Sequence, residues 1–267
     1  MSASPEPAIE VRSPGLAARL VDRGRPGRAR LGASRGGAAD LRAHDLAQRL
    51  LGNDGDAMSL ETCGSTTWAF LRPTTVVLTG ALAAVEVDHG PPLGWGEPVR
   101  MPAGAVLRLG RVMDGVRVYL GARGGLVEVD GGLDTGPEPV DPLPGIIAPR
   151  PVLEGVARVW PGPRADWFAD GSWAALTGSP FTVTDTSRVG VRLSGARLER
   201  LVPGELPSEG MVEGSVQVPP DGCPIVMLSD HPVTGGYPVI GVIDPVDLHE
   251  IAQASVGSTL RLRTARP

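Results

Sequence analysis

The stretch SVQVPPDGCPIVMLSDHPVTGGYPVIGVI, Ser215–Ile243, contains three short apolar runs that are separated by turn-forming residues. Each run has the length and the valine and isoleucine content of a β-strand. The first two runs are joined by Pro219–Gly222, a combination of residues that is typical of a tight reversal. In the first run, Gln217 lies between Val216 and Val218, so its side chain is expected on the opposite face from theirs. The stretch therefore predicts consecutive β-strands.

The same pattern extends over the rest of the chain. Its 37 glycines and 27 prolines separate short apolar runs, which is typical of a sandwich or a barrel. The further candidate strands are AIEVRSP, TTVVLTG, AVEVD, AVLRLGRV, VRVYLGA, VARVWPG, PFTVTDTS, VGVRLSG and TLRLRTA. Several of them alternate apolar and polar residues, as half-buried strands do. The fold class predicted from this pattern is mainly β.

Helical signals are few, and the clearest lies near 40–52. Asp40 is suited to the N-cap, leucines follow along one face, and Gly52-Asn53 ends the pattern. Two weaker candidates are the segments RADWFADGSWAALTG and DPVDLHEIAQAS. In the first of these, Trp167, Phe168 and Trp173 are expected to pack in a core. The prediction is therefore a β protein with a few short helices.

The stretch Gly131–Pro151 is rich in glycine and proline and predicts a linker or a long loop. It divides the chain into an N-terminal β subdomain, 8–135, and a C-terminal β subdomain, 150–265. The chain of 267 residues is long enough to bury a sizeable core, whether it folds as one large β unit or as two smaller subdomains.

Composition excludes several kinds of chemistry. The basic residues are all arginine, so the chain offers no lysine for a Schiff base, for a Walker-type phosphate site or for attachment of biotin. A net charge of −5 argues against a nucleic-acid surface. The four histidines do not cluster, and Cys63 and Cys223 have no metal or redox spacing, so no metal site is expected.

Targeting signals are also missing from the sequence pattern. The start, MSASPEPAIE, has neither the positive charge nor the apolar core of a signal peptide. No run approaches the length of a membrane-spanning helix. The cytoplasm is therefore the expected location, with both thiols reduced.

No nucleophile elbow, zinc-protease motif or P-loop is present. Two stretches are rich in arginine and could bind an anion. Val21–Asp40 holds five arginines and five glycines, and Arg25 with Arg35 could clamp a carboxylate or a phosphate. In Ser187–Gly195, Arg192 lies on the opposite face from its apolar neighbours. An exposed basic loop and a solvated strand arginine remain open as alternatives.

Two further stretches bring polar side chains together. Ser215 and Gln217 share a strand face and could line one cavity. Asp230 and His231 follow a buried strand, and Thr234-Gly235-Gly236 could form a backbone nest for an anion. Tyr237 then adds a hydroxyl group. A site and a plain polar hairpin are both compatible with this pattern.

Taken together, these motifs resemble the biotin-dependent carboxyltransferase-like family, which includes KipA, allophanate hydrolase subunit 2 and the C subunit of 5-oxoprolinase. The resemblance is carried by GRPGRARLGASRGGAADLRAHDLAQRLLGN and by EGMVEGSVQVPPDGCPIVMLSDHPVTGGYPVIGVI. The segments TTVVLTGA and VGVRLSG fall between them in the family's order. The resemblance covers the chain from about Ile9 to Arg263.

The resemblance implies a cyclophilin-like β-barrel architecture in two subdomains. It also implies a KipI-like partner, the counterpart of allophanate hydrolase subunit 1 or of the B subunit of 5-oxoprolinase, and a possible third hydrolase subunit. Such a complex would consume ATP to hydrolyse 5-oxoproline. Biotin is not expected, because this chain has no carrier lysine.

The family's motifs also suggest roles for individual residues. Catalytic roles fall on Asp230, His231 and Tyr237. Substrate-binding roles fall on Arg25, Asp40, Arg192, Glu209, Ser215, Gln217, Thr234, Gly235 and Gly236.

The sequence departs from the family after VYLGARGGL. Family members continue with a Gly-Ser-Arg-Ser-Thr-like segment, whereas VEVDGGLDTGPEP leads directly to the linker here. Three functions are compatible with this sequence: a catalytic 5-oxoprolinase subunit, a regulatory protein that binds a KipI-like kinase inhibitor, and a carboxyltransferase of a urea carboxylase or allophanate system. The first is the leading prediction, and the shortened segment favours the second.

Overall fold

The computed structural model describes residues 7–202 and 206–266, and their contacts divide the chain into two units. Unit 1 comprises Met1–Arg23 and Asp40–Val152, and unit 2 comprises Gly24–Ala39 and Leu153–Pro267. The ranges predicted from the sequence placed Gly24–Ala39 in the N-terminal subdomain, whereas its contacts place it in unit 2. We call Gly24–Ala39 the inserted segment, because the chain leaves unit 1 to form it and then returns.

Unit 1 is built on a sheet dominated by two long antiparallel strands. Its strands are β1 (Ile9–Ser13), β2 (Arg19–Val21), β3 (Ser59–Thr62), β4 (Thr66–Phe70), β5 (Thr74–Asp88), β6 (Val99–Met101), β7 (Val106–Ala122), β8 (Leu126–Val129) and β9 (Gly132–Thr135). Strands β5 and β7 each combine two predicted runs. Register shifts between Gly80 and Val85 disrupt their ladder, and such bulges let paired strands bend.

Helix α1 (Leu41–Leu51) packs on this sheet, as the sequence pattern predicts. Asp40 is its N-cap and accepts a hydrogen bond from the backbone N of Ala43 at 2.9 Å. Leu50 and Leu51 are buried in a cluster with Val77 of β5. The buried face of α1 thus holds the helix against β5.

The linker prediction is wrong at its start. Gly132–Thr135 forms β9, which pairs with β8 in a tight hairpin. The residues after it lack regular structure, but they belong to unit 1 as far as Val152. Arg123 donates hydrogen bonds to the backbone oxygens of Pro139 and Asp141, which hold this part of the chain along unit 1.

Unit 2 contains a closed barrel, formed in the order β10-β17-β14-β15-β12-β11-β18 by described residues. The strands of unit 2 are β10 (Val156–Pro161), β11 (Pro180–Thr186), β12 (Gly190–Ser194), β13 (Glu209–Gly210), β14 (Ser215–Gln217), β15 (Ile225–Met227), β16 (Thr234–Gly235), β17 (Val239–Ile243) and β18 (Thr259–Thr264). Its core includes Phe181, Val216, Val226 and Ile240. Strands β13 and β16 form a separate two-stranded ribbon.

The two weaker helical predictions are also confirmed. Helix α2 (Ser172–Gly178) follows a 3-10 turn at Ala165–Trp167, and helix α3 (Leu248–Ala252) follows another at Pro245–Asp247. Phe168 is buried, and Trp167 and Trp173 pack partly buried against the barrel core, as predicted. The predicted fold class, mainly β and of barrel type in two subdomains with a few short helices, is confirmed. No helix in the described residues is long and apolar enough to cross a membrane.

Candidate functional site

The loop that follows β15 is fixed by an ion pair between Asp230 and Arg188. The guanidinium of Arg188 donates from Nε to Asp230 Oδ2 at 2.8 Å and from Nη2 to Oδ1 at 2.9 Å. The backbone N of Asp230 also donates to the backbone O of Arg188 at 3.0 Å. The pair forms because β12 and β15 are antiparallel neighbours, with Gly190 opposite Met227. Both carboxylate oxygens of Asp230 are therefore held by one guanidinium.

The same arginine reaches the inserted segment. Arg188 Nη2 donates to the backbone O of Gly37 and to the Oγ of Ser229. The backbone N of Gly36 donates to the backbone O of Ser229 at 2.9 Å. The loop after β15 and the inserted segment thus share one set of polar contacts.

A second bidentate pair holds the inserted segment. Arg35 donates to both carboxylate oxygens of Glu213, at 2.6 and 2.9 Å, and to the backbone O of Ala38. Both side chains are largely buried, with 17% and 14% of their surface exposed. Parallel bonds of this kind are among the stronger polar contacts in proteins.

His231 is buried next to Asp230. Its backbone N donates to the backbone O of Leu228, and its Nδ1 lies 2.8 Å from the backbone O of Pro232. A carbonyl oxygen only accepts hydrogen bonds, so the proton must be on Nδ1. In the neutral ring, Nε2 is therefore the acceptor.

The ribbon of β13 and β16 brings Glu209 opposite Gly235. The carboxylate of Glu209 accepts two hydrogen bonds from Arg164, one of them at 3.0 Å from Nε. This hydrogen bonding lowers the pKa of Glu209. The guanidinium of Arg164 also lies 5.7 Å from the ring centre of Trp167, within the range of a cation–π contact.

Gln217 and Tyr237 meet beneath this ribbon. Gln217 is buried, and its Nε2 donates to the backbone O of Tyr237 at 3.1 Å. The Tyr237 side chain remains 43% exposed. Ser215 is buried too, and its Oγ accepts a hydrogen bond from the backbone N of Val212. The side chains of Ser215 and Gln217 thus form hydrogen bonds with backbone groups of neighbouring loops.

The glycines of this loop have a different role from the predicted nest. Thr234-Gly235 forms β16, and neither Gly235 nor Gly236 has a positive φ. A nest requires a left-handed residue next to a right-handed one, so this backbone does not form one. Gly235 is instead needed for space, because a Cβ there would lie 2.4 Å from Gln217 Nε2.

Three predicted site residues have surroundings of their own. Arg192 pairs with Asp221 at the opposite end of the β12–β15 pair from Asp230. Asp40 belongs to unit 1, where it caps α1. Arg25 belongs to the inserted segment, and its side chain is exposed. Their predicted substrate-binding roles stay predictions.

The structure adds residues that sequence reasoning missed. Arg188 and Arg164 supply the ion pairs of Asp230 and Glu209, and Glu213 anchors the inserted segment. The strand pairing that places Arg188 beside Asp230 is not encoded in either local pattern. An antiparallel assignment of β12 to β15 would have been the one signal that pointed to it.

A buried polar network in unit 1 was missed as well. Tyr119 donates from its hydroxyl to Glu61 at 2.7 Å and accepts from the backbone N of Asp40 at 2.8 Å. Burial, together with the charge of Glu61, raises the pKa of Tyr119 well above its ordinary value. Arg117 lies 3.8 Å from Glu61, and both side chains are buried. The network ties the start of α1 to β3 and β7.

The segment between β15 and β17 thus carries a positioned carboxylate, a buried imidazole and an exposed phenol. These groups can position a small polar molecule and exchange protons with it. Within the described residues, no group of three or more His, Cys, Asp or Glu side chains is arranged to hold a metal ion. The glycine-rich turn Gly121–Gly125 does not fit a nucleotide phosphate, because Arg123 within it is buried and donates to the backbone O of Leu51 at 2.7 Å.

The fold and this polar loop agree with one protein class. The family model for the carboxyltransferase domain, subdomain A and B, matches residues 31–136 and 134–264. The chain belongs to this family. It is 35% identical to the C subunit of 5-oxoprolinase from Escherichia coli (strain K12) over 273 residues, which cover 92% of this chain and 87% of that protein.

Two other proteins show similarity to this chain. The crystal structure of TTHA0988 matches with a TM-score of 0.83 and 32% identity, covering 97% of this chain and 56% of that one. The chain therefore spans about half the length of that solved protein. Urea amidolyase of Saccharomyces cerevisiae is 34% identical over 121 residues, which cover 45% of this chain and 6% of that protein.

Proposed function

We propose that this chain is a subunit of an ATP-dependent 5-oxoprolinase, which opens a cyclic amide by hydrolysis. The observation that carries the proposal is the nearly full-length likeness to the C subunit of 5-oxoprolinase. The likeness to urea amidolyase covers less than half of the chain, so a carboxyltransferase acting on urea is the weaker alternative. The proposed enzyme acts in the cytoplasm with a KipI-like partner and a third hydrolase subunit.

The geometry of the segment between β15 and β17 supports distinct roles for its residues. Tyr237 has an exposed side chain and is the candidate for donating a hydrogen bond to the substrate. His231 has Nε2 as its acceptor when neutral and is the candidate for proton transfer. Asp230 gives both oxygens to Arg188, so we assign it to positioning the loop. ATP is a substrate of the proposed complex, and no nucleotide site is assigned to this chain.

Reconstitution tests the proposal. This chain is co-expressed with its KipI-like partner and the third subunit, and release of glutamate from 5-oxoproline is measured with and without ATP. We expect ATP-dependent hydrolysis that Tyr237→Phe reduces by roughly 100- to 1000-fold, the usual range for losing a donor positioned at the reacting centre. The Tyr237→Phe complex should remain intact in size-exclusion chromatography. An intact wild-type complex without hydrolysis would contradict the proposal.

One observation favours a regulatory protein as the second candidate. The family's polar segment after the glycine-rich turn is replaced here by the tight hairpin of β8 and β9. A chain that binds a KipI-like protein without catalysis would not need that segment. Complex formation that survives, with no 5-oxoproline hydrolysis in wild type or variant, would support this candidate.

A further inference from the structure

The exposed part of the inserted segment is strongly basic. Every residue in Arg25–Gly32, which we call the basic tip, is exposed. The tip carries three arginines within a chain whose net charge is −5. Among the described residues, the guanidinium groups of Arg25, Arg28 and Arg30 form no ion pair, whereas Arg35, Arg164 and Arg188 of unit 2 all do.

An apolar side chain lies within this charge cluster. Leu31 is 71% exposed, although leucine is usually buried, and it directly follows Arg30. Arginine is enriched at protein–protein interfaces, where guanidinium groups can pair with partner carboxylates, and an exposed leucine beside it adds apolar area for a partner to cover. The tip therefore combines the two kinds of group that a protein partner would contact.

The tip is held in shape before any partner arrives. Ala29–Leu31 is a 3-10 turn, closed by hydrogen bonds from Leu31 N to Arg28 O at 2.8 Å and from Gly32 N to Ala29 O at 2.9 Å. At its base, Arg25 N donates to Arg35 O at 2.7 Å. Arg35 is in turn anchored by Glu213. An ordered element loses less conformational entropy when it binds than a flexible loop does.

From these observations we propose that the basic tip is a docking element for an acidic surface of the partner subunit. The inference rests on the proposed function, because it assigns a place to the partner which that function requires. The arginines supply charge complementarity, and Leu31 supplies the apolar contact. A nucleic acid fits less well, because the net negative charge of the chain opposes a long polyanion.

Binding to the purified KipI-like partner tests the docking role. The triple variant Arg25→Gln, Arg28→Gln, Arg30→Gln removes three charges from the tip. Its control is Arg197→Gln, Arg261→Gln, Arg263→Gln, which removes three charges from exposed residues elsewhere in unit 2. Affinity and association rate are measured at low and high salt, because steering by charge weakens as salt screens it.

We expect the tip variant to bind the partner about 10- to 100-fold more weakly, mainly through slower association and with a smaller salt dependence. The control should bind within about twofold of wild type. Leu31→Asp, with the arginines kept, should speed dissociation. Each variant should unfold at the same urea concentration as wild type, which would show that it is correctly folded.

Three results would overturn the inference. Equal binding by tip variant and wild type would remove the docking role while leaving the proposed function intact. Normal binding with lost 5-oxoproline hydrolysis would assign the arginines to the substrate instead. Absence of any complex with wild type would overturn both the docking role and the proposed function.

Discussion

At the scale of single residues, the Asp230–Arg188 pair fixes the conformation of the loop after β15. Each carboxylate oxygen of Asp230 accepts a hydrogen bond from the same guanidinium, which fixes the orientation of the side chain. The side chains are 28% and 13% exposed, so water screens the pair only in part. Asp230 therefore acts first on the conformation of the loop.

A double-mutant cycle measures this role. Asp230→Asn, Arg188→Met and the double variant are compared by urea unfolding. We expect a coupling free energy of about 1–3 kcal/mol, since a partly buried, bidentate pair exceeds an exposed one. The more exposed pair Arg158–Asp247 is the control, and we expect a weaker coupling there because solvent screens exposed ion pairs. Equal coupling in the two pairs would contradict the positioning role.

A second prediction concerns pH and His44 of α1. Its ring is fully buried with Nδ1 2.7 Å from Ser59 Oγ, and burial lowers its pKa below the ordinary value of 6.5. The unfolded chain therefore takes up the proton first as pH falls. The contribution of the neutral His44 ring to the free energy of unfolding is therefore fully present above pH 6.5 and decreases as the pH falls below it.

Urea unfolding of wild type and His44→Gln checks this at several pH values on both sides of 6.5. Wild type should lose up to about 1.4 kcal/mol per pH unit through this group, and the variant should lack that part of the slope. Asp247 and Glu209 also have lowered pKa values, but their ordinary values are 3.8 and 4.5, so their effect begins at lower pH. Parallel slopes for the two proteins would contradict the prediction.

At the scale of elements, α1 illustrates how a local pattern suffices. Asp40, the leucines that follow and Gly52 describe the helix without reference to the rest of the fold. The same pattern cannot separate a capping aspartate from a ligand-binding one. The resemblance suggested substrate binding, and the structure shows the carboxylate on the first turn of α1.

Two substitutions at Asp40 distinguish these roles. Asparagine also caps helices well, so Asp40→Asn should change stability by only a few tenths of a kcal/mol. Asp40→Ala should cost about 0.5–2 kcal/mol, measured by thermal or urea unfolding. If Asp40 binds substrate through its charge, both variants would raise the KM for 5-oxoproline in the reconstituted complex.

The β13–β16 ribbon leads to a matched pair of glycine substitutions. A Cβ at Gly235 would lie 2.4 Å from Gln217 Nε2 and 2.7 Å from Met211 Sδ, so Gly235→Ala displaces the side chain that holds Tyr237. We expect a loss of about 1–3 kcal/mol in stability. At Gly236 the nearest atom to a Cβ is 3.4 Å away, and Gly236→Ala should be tolerated. An equal loss of stability in the two variants would contradict this prediction, because it would show that the neighbouring side chains can make room for a Cβ at Gly235.

Much of the fold follows from local pattern, because apolar runs between glycine and proline mark strands. The runs that became β11, β12 and β18 were all predicted. The short strands β13 and β16 were not, because two residues carry no periodicity. The long-range pairing of strands could not be predicted from local pattern either. For this reason the sequence indicated Arg192, whose strand position is visible locally, and not Arg188, whose role depends on the pairing of β12 with β15. Side-chain types that are suited to chemistry can be found in a sequence, but their neighbours depend on register.

At the scale of the whole molecule, the inserted segment makes unit 2 a unit of two separate stretches of chain. Its ion pair with Glu213 can be tested directly. Arg35→Met removes the pair with Glu213 and leaves a buried carboxylate without that cation. The basic tip beyond it should then open more often.

Limited trypsin digestion measures this opening, because trypsin cleaves after the exposed Arg28 and Arg30, whereas Arg25 precedes Pro26 and is not cleaved. We expect Arg35→Met to raise the cleavage rate there by about 10-fold or more, as local opening precedes cleavage. Arg158→Met is the control, since its partner Asp247 lies outside the inserted segment. Equal rates in the two variants would show that the Glu213 pair does not restrain the tip.

The divided origin of unit 2 has a consequence for how the protein is made. A ribosome releases Gly24–Ala39 early, yet the barrel that receives it is not complete until the strands after Leu153 have been translated. At typical elongation rates of about 5–20 residues per second, the chain from Ala39 to the last barrel strand takes roughly 10 to 45 seconds to synthesise. During that delay the nascent segment has no barrel to dock on, and its arginines are open to chaperones and proteases. The inserted segment can therefore dock only after most of the later chain has been translated.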